Sequence, residues 1–231
     1  MTPRGWIATF VVAAALGSAS GQDIEHLSGE AKLEALIARV SAAQSAAKSL
    51  SATFEQRKVS RLLQAPSVSS GTFYYRAPDS VRWEYQTPRH MIVLLSAGVA
   101  TTYRPDERRA ERIEVGRMQR RVFGFMSSSE PLDKLLRYFR VTLRDAGPGH
   151  NFIIELAPSS FQVKRRLSSV TVEIDRARFL PVAVSYVEKD GDTTAYAFSN
   201  VVVDPNLADS LFTLDLPPDV RVEQLKLHGG E

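Results

Sequence analysis

Apolar residues recur along this chain with two different periods, and the switch between them is abrupt. Leu33, Leu36, Ile37 and Val40 fall at i, i+3, i+4 and i+7, the spacing of one helical face, with Ser28 placed to cap it. Alanines at 42, 43, 46 and 47 prolong that pattern. Near Ser49 the period drops to two: Leu50, Ala52, Phe54 and Gln56 alternate with Ser51, Thr53, Glu55 and Arg57, which predicts a strand leaving the helix directly. Strand patterns follow at 71–76, 80–86, 90–96 and 99–105, with Pro78 and Pro88 at the joints, where a residue that donates nothing to a ladder marks a strand end. Four more lie at 151–158, 167–175, 179–189 and 192–203, the last two joined by a tight Asp190–Gly191 hairpin. Some ten or eleven strands in succession with short turns predict a mainly β (α+β) protein built on a meandering antiparallel sheet.

The middle of the chain breaks the alternation. Over 122–139, Ser129 or Glu130 can cap a helix with Pro131 in its first turn, and Leu132, Leu135, Leu136 and Phe139 form one apolar stripe. Phe123, Phe125 and Met126 precede it in a stretch rich in Gly and Ser.

Among the strands, "SVRWEYQTP" (80–88) has the sharpest two-faced character. Val81, Trp83 and Tyr85 share one face, and Arg82, Glu84 and Gln86 the other. Phe54, Phe73, Tyr75 and Tyr103 extend the aromatic inventory over neighbouring strands at alternating positions. A sheet with one such face, covered by helices, encloses either a solid core or a cavity, and periodicity alone leaves both open.

The first residues change the compartment. "MTPRGWIATFVVAAALGSASGQ" carries an early cation, an apolar run from Trp6 to Leu16 and small residues after it, the layout of a secretory signal spanning 1–21, with 22–231 expected as a single domain. The run is shorter than the roughly 20 apolar residues of a membrane span. The chain has no cysteine, which removes disulfides, thiolate sites and a lipidated anchor together and points to a periplasmic protein. Of its 231 residues 44% are hydrophobic and 24% charged, enough for a real core. Its net charge of +3 is too weak and dispersed for a nucleic-acid binder.

Candidate chemistry is sparse. Histidines 26, 90, 150 and 228 lack partners at i+3 or i+4, so no metal site is expected. There is no Gly-x-Ser-x-Gly, phosphate loop or dinucleotide fingerprint. Ser127–Ser129 read as a helix-capping loop, and Glu155 and Glu173 as a solvated sheet face. No enzyme and no cofactor are expected. The exception is the basic run 104–121, in which seven arginines against four carboxylates leave +3. Arg108, Arg109 and Arg112 are its candidate docking residues for an acidic partner, against the plainer reading of a solvated hairpin with local ion pairs.

The order of these blocks resembles the periplasmic lipoprotein carriers of the LolA type. "LSATFEQ" (50–56), "GTFYYRAPDSVRWEYQTP" (71–88), "VLLSAGVATTYRPDERRAER" (93–112) and "LFTLDLPPDVRV" (211–222) carry the likeness. The resemblance implies an open, strongly bent antiparallel half-barrel of about eleven strands, its concave face covered by helices. That hollow would take the acyl chains of lipoproteins received from an inner-membrane release transporter and passed to an outer-membrane receptor, with the carrier a monomer. Carried over by position, Phe54, Phe73, Val81, Trp83, Tyr85, Met91 and Val93 would line the hollow. Phe123, Phe125, Met126, Leu132, Leu136 and Phe139 would belong to the cover. The family commonly places an Arg directly before the Pro ending its second strand, as a lid contact. Here that position is Ala77, leaving Arg76 or Arg82 for the role, and Asp219 stands where the C-terminal turn often has Gly. The same scaffold could carry a glycolipid or phospholipid, or serve as an envelope-signalling sensor domain.

Overall fold

The computed structural model describes residues 24–114 and 136–225. The expected signal (1–21) and the cover residues Phe123, Phe125, Met126 and Leu132 lie outside the described residues. Helix α1 spans Gly29–Ala46, as its period predicts. Ser28 occupies the N-cap position with extended backbone, but its hydroxyl makes no capping bond. Strand β1 (Ser49–Val59) begins almost at once, followed by β2 (Ser67–Arg76), β3 (Ser80–Thr87), β4 (Met91–Ser96), β5 (Val99–Arg104) and β6 (Arg109–Glu114). The second half holds β7 (Phe139–Asp145), β8 (Phe152–Pro158), the one-turn helix α2 (Phe161–Lys164), β9 (Leu167–Ile174), β10 (Pro181–Glu188), β11 (Thr193–Val203) and β12 (Arg221–Leu225).

Among the described residues these strands form one open sheet in the order β12-β6-β5-β4-β3-β2-β1-β11-β10-β9-β8-β7. It consists of two antiparallel meanders joined where β1 pairs with β11, and β12 adds to β6 in parallel. The sheet is not closed, so the expected half-barrel is the observed architecture, with twelve strands rather than about eleven. One expectation fails at Phe139, which opens β7 opposite Pro158 instead of ending a helical stripe. Phe139 fits both periods, three residues after Leu136 and two before Val141, and the unbroken ladder with β8 decides for the strand.

The register carries one apolar face from end to end. Trp83 lies opposite Phe73 and Val93, Phe54 opposite Phe198, Tyr196 opposite Val184, and Val184 opposite Val172, which faces Ile154. Leu36 and Val40 of α1, both fully buried, pack on the β7–β10 half of this inner face with Phe152, Ile154, Val172 and Ile174. Ala43 and Ala47, one and two turns further on, join the other half, formed by Leu50, Phe54, Phe73, Val81, Trp83 and Tyr85. Helix α1 therefore bridges two clusters on one surface.

The connections sort into two ends. At the lower end Asp145 of β7 holds Lys32 of α1, and the Ala77 N–H beyond β2 donates to the Lys48 carbonyl at 2.8 Å, so α1 lies across this end. At the upper end lie residues 60–66, 88–90, 105–108 and 189–192 between successive strands, together with α2.

Gly71 is required where β2 meets β3. It sits opposite both Phe54 and Tyr85, beside a register shift, and a Cβ there would lie 1.9 Å from the Glu84 carbonyl oxygen. With no side chain between them, the Phe54 and Tyr85 rings meet at 4.9 Å. Gly71→Ala is expected to cost about 3 kcal/mol, the upper part of the overpacking range, because the obstacle is backbone. The urea midpoint measures it.

Candidate functional site

Trp83 is the centre of the inner aromatic half. Its ring lies 4.8 Å from Phe54 and from Phe73, 5.1 Å from Tyr196 and 5.7 Å from Phe198, all tilted or edge-on. Those geometries suit the ring quadrupoles better than face-to-face stacking. Phe54, Phe73, Val81 and Trp83 are buried, and Met91 and Val93 of β4 are half-buried against the same cluster.

Polar groups gather toward the upper end of this face. The Gln56 amide donates to the Tyr196 hydroxyl at 2.6 Å, and Tyr196 in turn bonds Tyr85. Burial raises the Tyr85 pKa, a shift the bond from Tyr196 partly offsets. Burial, with Tyr85 beside it, raises that of Tyr196 further. Both phenols are neutral at any physiological pH, so the face carries hydroxyls but no charge. Above them opens a cleft of about 360 Å³ lined by Gln56, Ser69, Tyr85, Pro88, Met91 and Arg104, among others. Apolar rings thus lead through a band of hydroxyls to a mixed polar mouth.

The other candidate residues sit elsewhere. Arg76 and Arg82 project from the face opposite Trp83, as strand alternation requires. Arg76 pairs with Asp209 and lies 4.3 Å over the Phe212 ring. Arg82 is only 8% exposed, bonding Glu84 at 3.0 Å and the Leu211 carbonyl at 3.3 Å. Both therefore hold the C-terminal segment on the outer face, while the segment expected to form the lid is outside the described residues. The Asp209–Phe212 turn packed on β3 buries this charged side chain.

Arg108 and Arg109 are likewise engaged within the chain. Arg108 pairs with Asp219 at 2.9 Å, and Arg109 with Glu223 at 2.8 Å and Glu111 at 3.1 Å, stitching β12 to β6. Asp219, unusual as a replacement for Gly, has its partner there. Arg112 is exposed on β6. Leu136 and Phe139 pack in the β7–β10 cluster rather than on the Trp83 cluster.

Tyr196, Phe198 and Gln56 complete the site, and sequence reading assigned none of them to it. Alternation in "TTAYAFSN" puts Tyr196 and Phe198 on one face, but only the β1–β11 pairing, across some 140 residues, brings them to Phe54. Glu155 pairs with Arg144, and Glu173 accepts from Asn151 at 2.8 Å. Among the described residues no group of His, Cys, Asp or Glu is arranged to hold a metal ion. No described helix is long and apolar enough to cross a membrane.

An open β half-barrel with a helix across one end and an aromatic inner face reaching a mouth at the other defines a lipid-binding, carrier-type domain. The chain belongs to the outer membrane lipoprotein carrier protein LolA family, whose model matches residues 45–215. Members of that family are binding and carrier proteins. Solved structures similar to it include an uncharacterized conserved protein from Thermus thermophilus, with 11% identity and a TM-score of 0.51, covering 84% of this chain and 99% of that one. MucB shares 14% identity at a TM-score of 0.50, with 81% of this chain covering 64% of MucB. An outer membrane lipoprotein-sorting protein domain from Vibrio parahaemolyticus shares 15% identity at a TM-score of 0.42, with coverage of 76% and 94%. Among curated proteins no sequence matches the chain.

Proposed function

We propose that this protein is a periplasmic carrier that takes the acyl chains of lipoproteins onto the Trp83 face and moves them from the inner to the outer membrane. The observation that carries the reading is the cluster of Phe54, Phe73, Trp83, Tyr196 and Phe198 beneath a mouth at the upper end. Six ring–ring contacts line that face. Burying a chain of about sixteen carbons returns roughly 13 kcal/mol at about 0.8 kcal/mol per CH₂. That gain for one chain is small compared with the cost of leaving a multiply acylated cargo in water. The protein therefore loads spontaneously and can still surrender its cargo to a receptor.

Residues 1–21 as an export signal, and 22–231 as one domain, complete the reading. Its partners are an inner-membrane release transporter and an outer-membrane receptor, and the carrier works as a monomer without a cofactor. Mass spectrometry of material co-purified from the periplasm tests it: acylated lipoprotein is the expected ligand. Recovery of phospholipid or glycolipid alone transfers the same site to another amphiphile. Protein that carries no lipid in any preparation overturns the reading.

A further inference from the structure

The two most exposed large apolar side chains among the described residues are at the upper end. Leu62, at 94%, tops the β1–β2 connection, and Phe161, at 75%, opens α2. Val59, Leu63 and Val68 are about half exposed beside Leu62. Nothing in a water-soluble hairpin requires two adjacent leucines at its tip. Cations surround them: Arg57, Lys58 and Arg61 on the hairpin, Arg89 beside the mouth, Lys164–Arg166 after Phe161, and Lys189 between the two groups.

These elements form one rim. The Arg61 guanidinium lies against Gly191, and the Lys189 N–H donates to the Arg166 carbonyl at 3.0 Å. Arg165 stands 6.0 Å over the Phe161 ring. Among the described residues Arg104 and Arg108 are neutralised by Glu111 and Asp219, whereas no carboxylate makes an ion pair with the eight cations just named. Five carboxylates share this end, Asp106, Glu107, Glu188, Asp190 and Asp192, so the rim keeps a positive excess.

We propose that the upper end docks on an anionic phospholipid bilayer, with Leu62, Leu63 and Phe161 entering the interface and the surrounding cations meeting lipid phosphates. The apolar side chains stand on separate projections rather than forming one flat patch. A protein partner would need a contiguous surface of about 800 Å² per side with close complementarity. A bilayer interface accepts scattered insertions, and Lys and Arg stems can lie along it while their charges reach headgroups. The purpose of docking rests on the carrier reading, since the rim meets the mouth at Arg89 and an acyl chain would pass between bilayer and Trp83 without crossing water. Docking itself needs no cargo.

The test is flotation of the protein purified from the periplasm with two kinds of vesicle, phosphatidylglycerol–phosphatidylethanolamine and pure phosphatidylcholine. Uptake of a soluble fluorescent fatty acid is measured in parallel. Expected is binding to the anionic vesicles at least tenfold tighter than to the neutral ones, weakening as salt rises. Leu62→Ser/Leu63→Ser and Arg57→Glu/Lys58→Glu/Arg61→Glu each lower it at least tenfold with fatty-acid uptake unchanged; these side chains are exposed at the end of β1 and in the connection after it, so the fold is retained. Wild-type protein that ignores both vesicles, or variants that bind as wild type does, overturn the proposal, the former leaving a protein as the occupant. Vesicle binding without fatty-acid uptake would sink the carrier reading and leave docking standing.

Discussion

Trp83→Ala is expected to abolish fatty-acid uptake and to lower the unfolding free energy by about 3–5 kcal/mol, the range for removing a large buried aromatic. Trp83 touches four rings from three other strands, so its loss opens a void that no single neighbour can fill. Because the alanine variant risks unfolding, Trp83→Leu separates lining from stability: it keeps an apolar side chain but loses the ring contacts. Uptake by a folded Trp83→Leu protein should weaken at least tenfold. Arg82→Ala, one residue away on the opposite face, should lose stability but keep uptake, since its partners are Glu84 and the Leu211 carbonyl. Equal loss of uptake from Trp83→Leu and Arg82→Ala would contradict the assignment of the two faces. Undiminished uptake by Trp83→Leu would contradict the site itself.

What could be read from sequence followed the range of the interaction that decides it. The α1 stripe and the strand periods from Leu50 to Tyr103 are local, and so were the pairings of Val81, Trp83 and Tyr85 with their immediate neighbours. The other half of the aromatic face comes from β11, whose place beside β1 is a non-local pairing that no period encodes. Phe139 was ambiguous because it satisfies both periods, and the ladder with β8 decided. The burial of Arg82 has a related cause. Alternation fixes which face a side chain takes, but not whether a distant segment will cover that face. The turn at Asp209–Phe212 does so, and it makes a charged face buried. The basic run 104–121 had too many readings for the opposite reason: among its described residues Arg104 and Arg109 find Glu111 nearby, Arg108 finds Asp219 and Arg109 also finds Glu223 on β12, and only the parallel β6–β12 pairing shows which.

Asp145→Ala is expected to cost about 3 kcal/mol, the low end of the range for breaking a buried pair, because it leaves Lys32 and Arg176 sharing Glu25 in a site that excludes most water. The Asp145 carboxylate, 15% exposed, holds Lys32 of α1 and Arg176 after β9, and accepts the Gly147 N–H at 2.9 Å. Glu25 is the other carboxylate on this pair, and Arg176 is further fixed 3.9 Å over Phe152 and by the His150 carbonyl at 2.6 Å. Burial alone would raise the Asp145 pKa, but the bonds from Lys32, Gly147 and Arg176 outweigh it and hold it at about 2, against an ordinary 3.8. A folded-state pKa below the unfolded one means the unfolded chain binds the proton first. The stabilisation is therefore fully present above about pH 4 and is lost as pH falls toward 2, amounting to about 2 kcal/mol. Urea midpoints of wild type should drop across that window, and Asp145→Asn should lack this component while starting less stable at neutral pH. An Asp145→Asn protein with the wild-type acid slope would place that slope on other carboxylates. The same network explains why exchange belongs to the opposite end. Lys32 and Arg176 clamp the start of α1 across the lower end through charge, and the Lys48–Ala77 bond fixes its far side. Loosening this clamp should open the closed end of the half-barrel, so Asp145→Ala is expected to release bound fatty acid faster even where Trp83 and its ring contacts are unchanged.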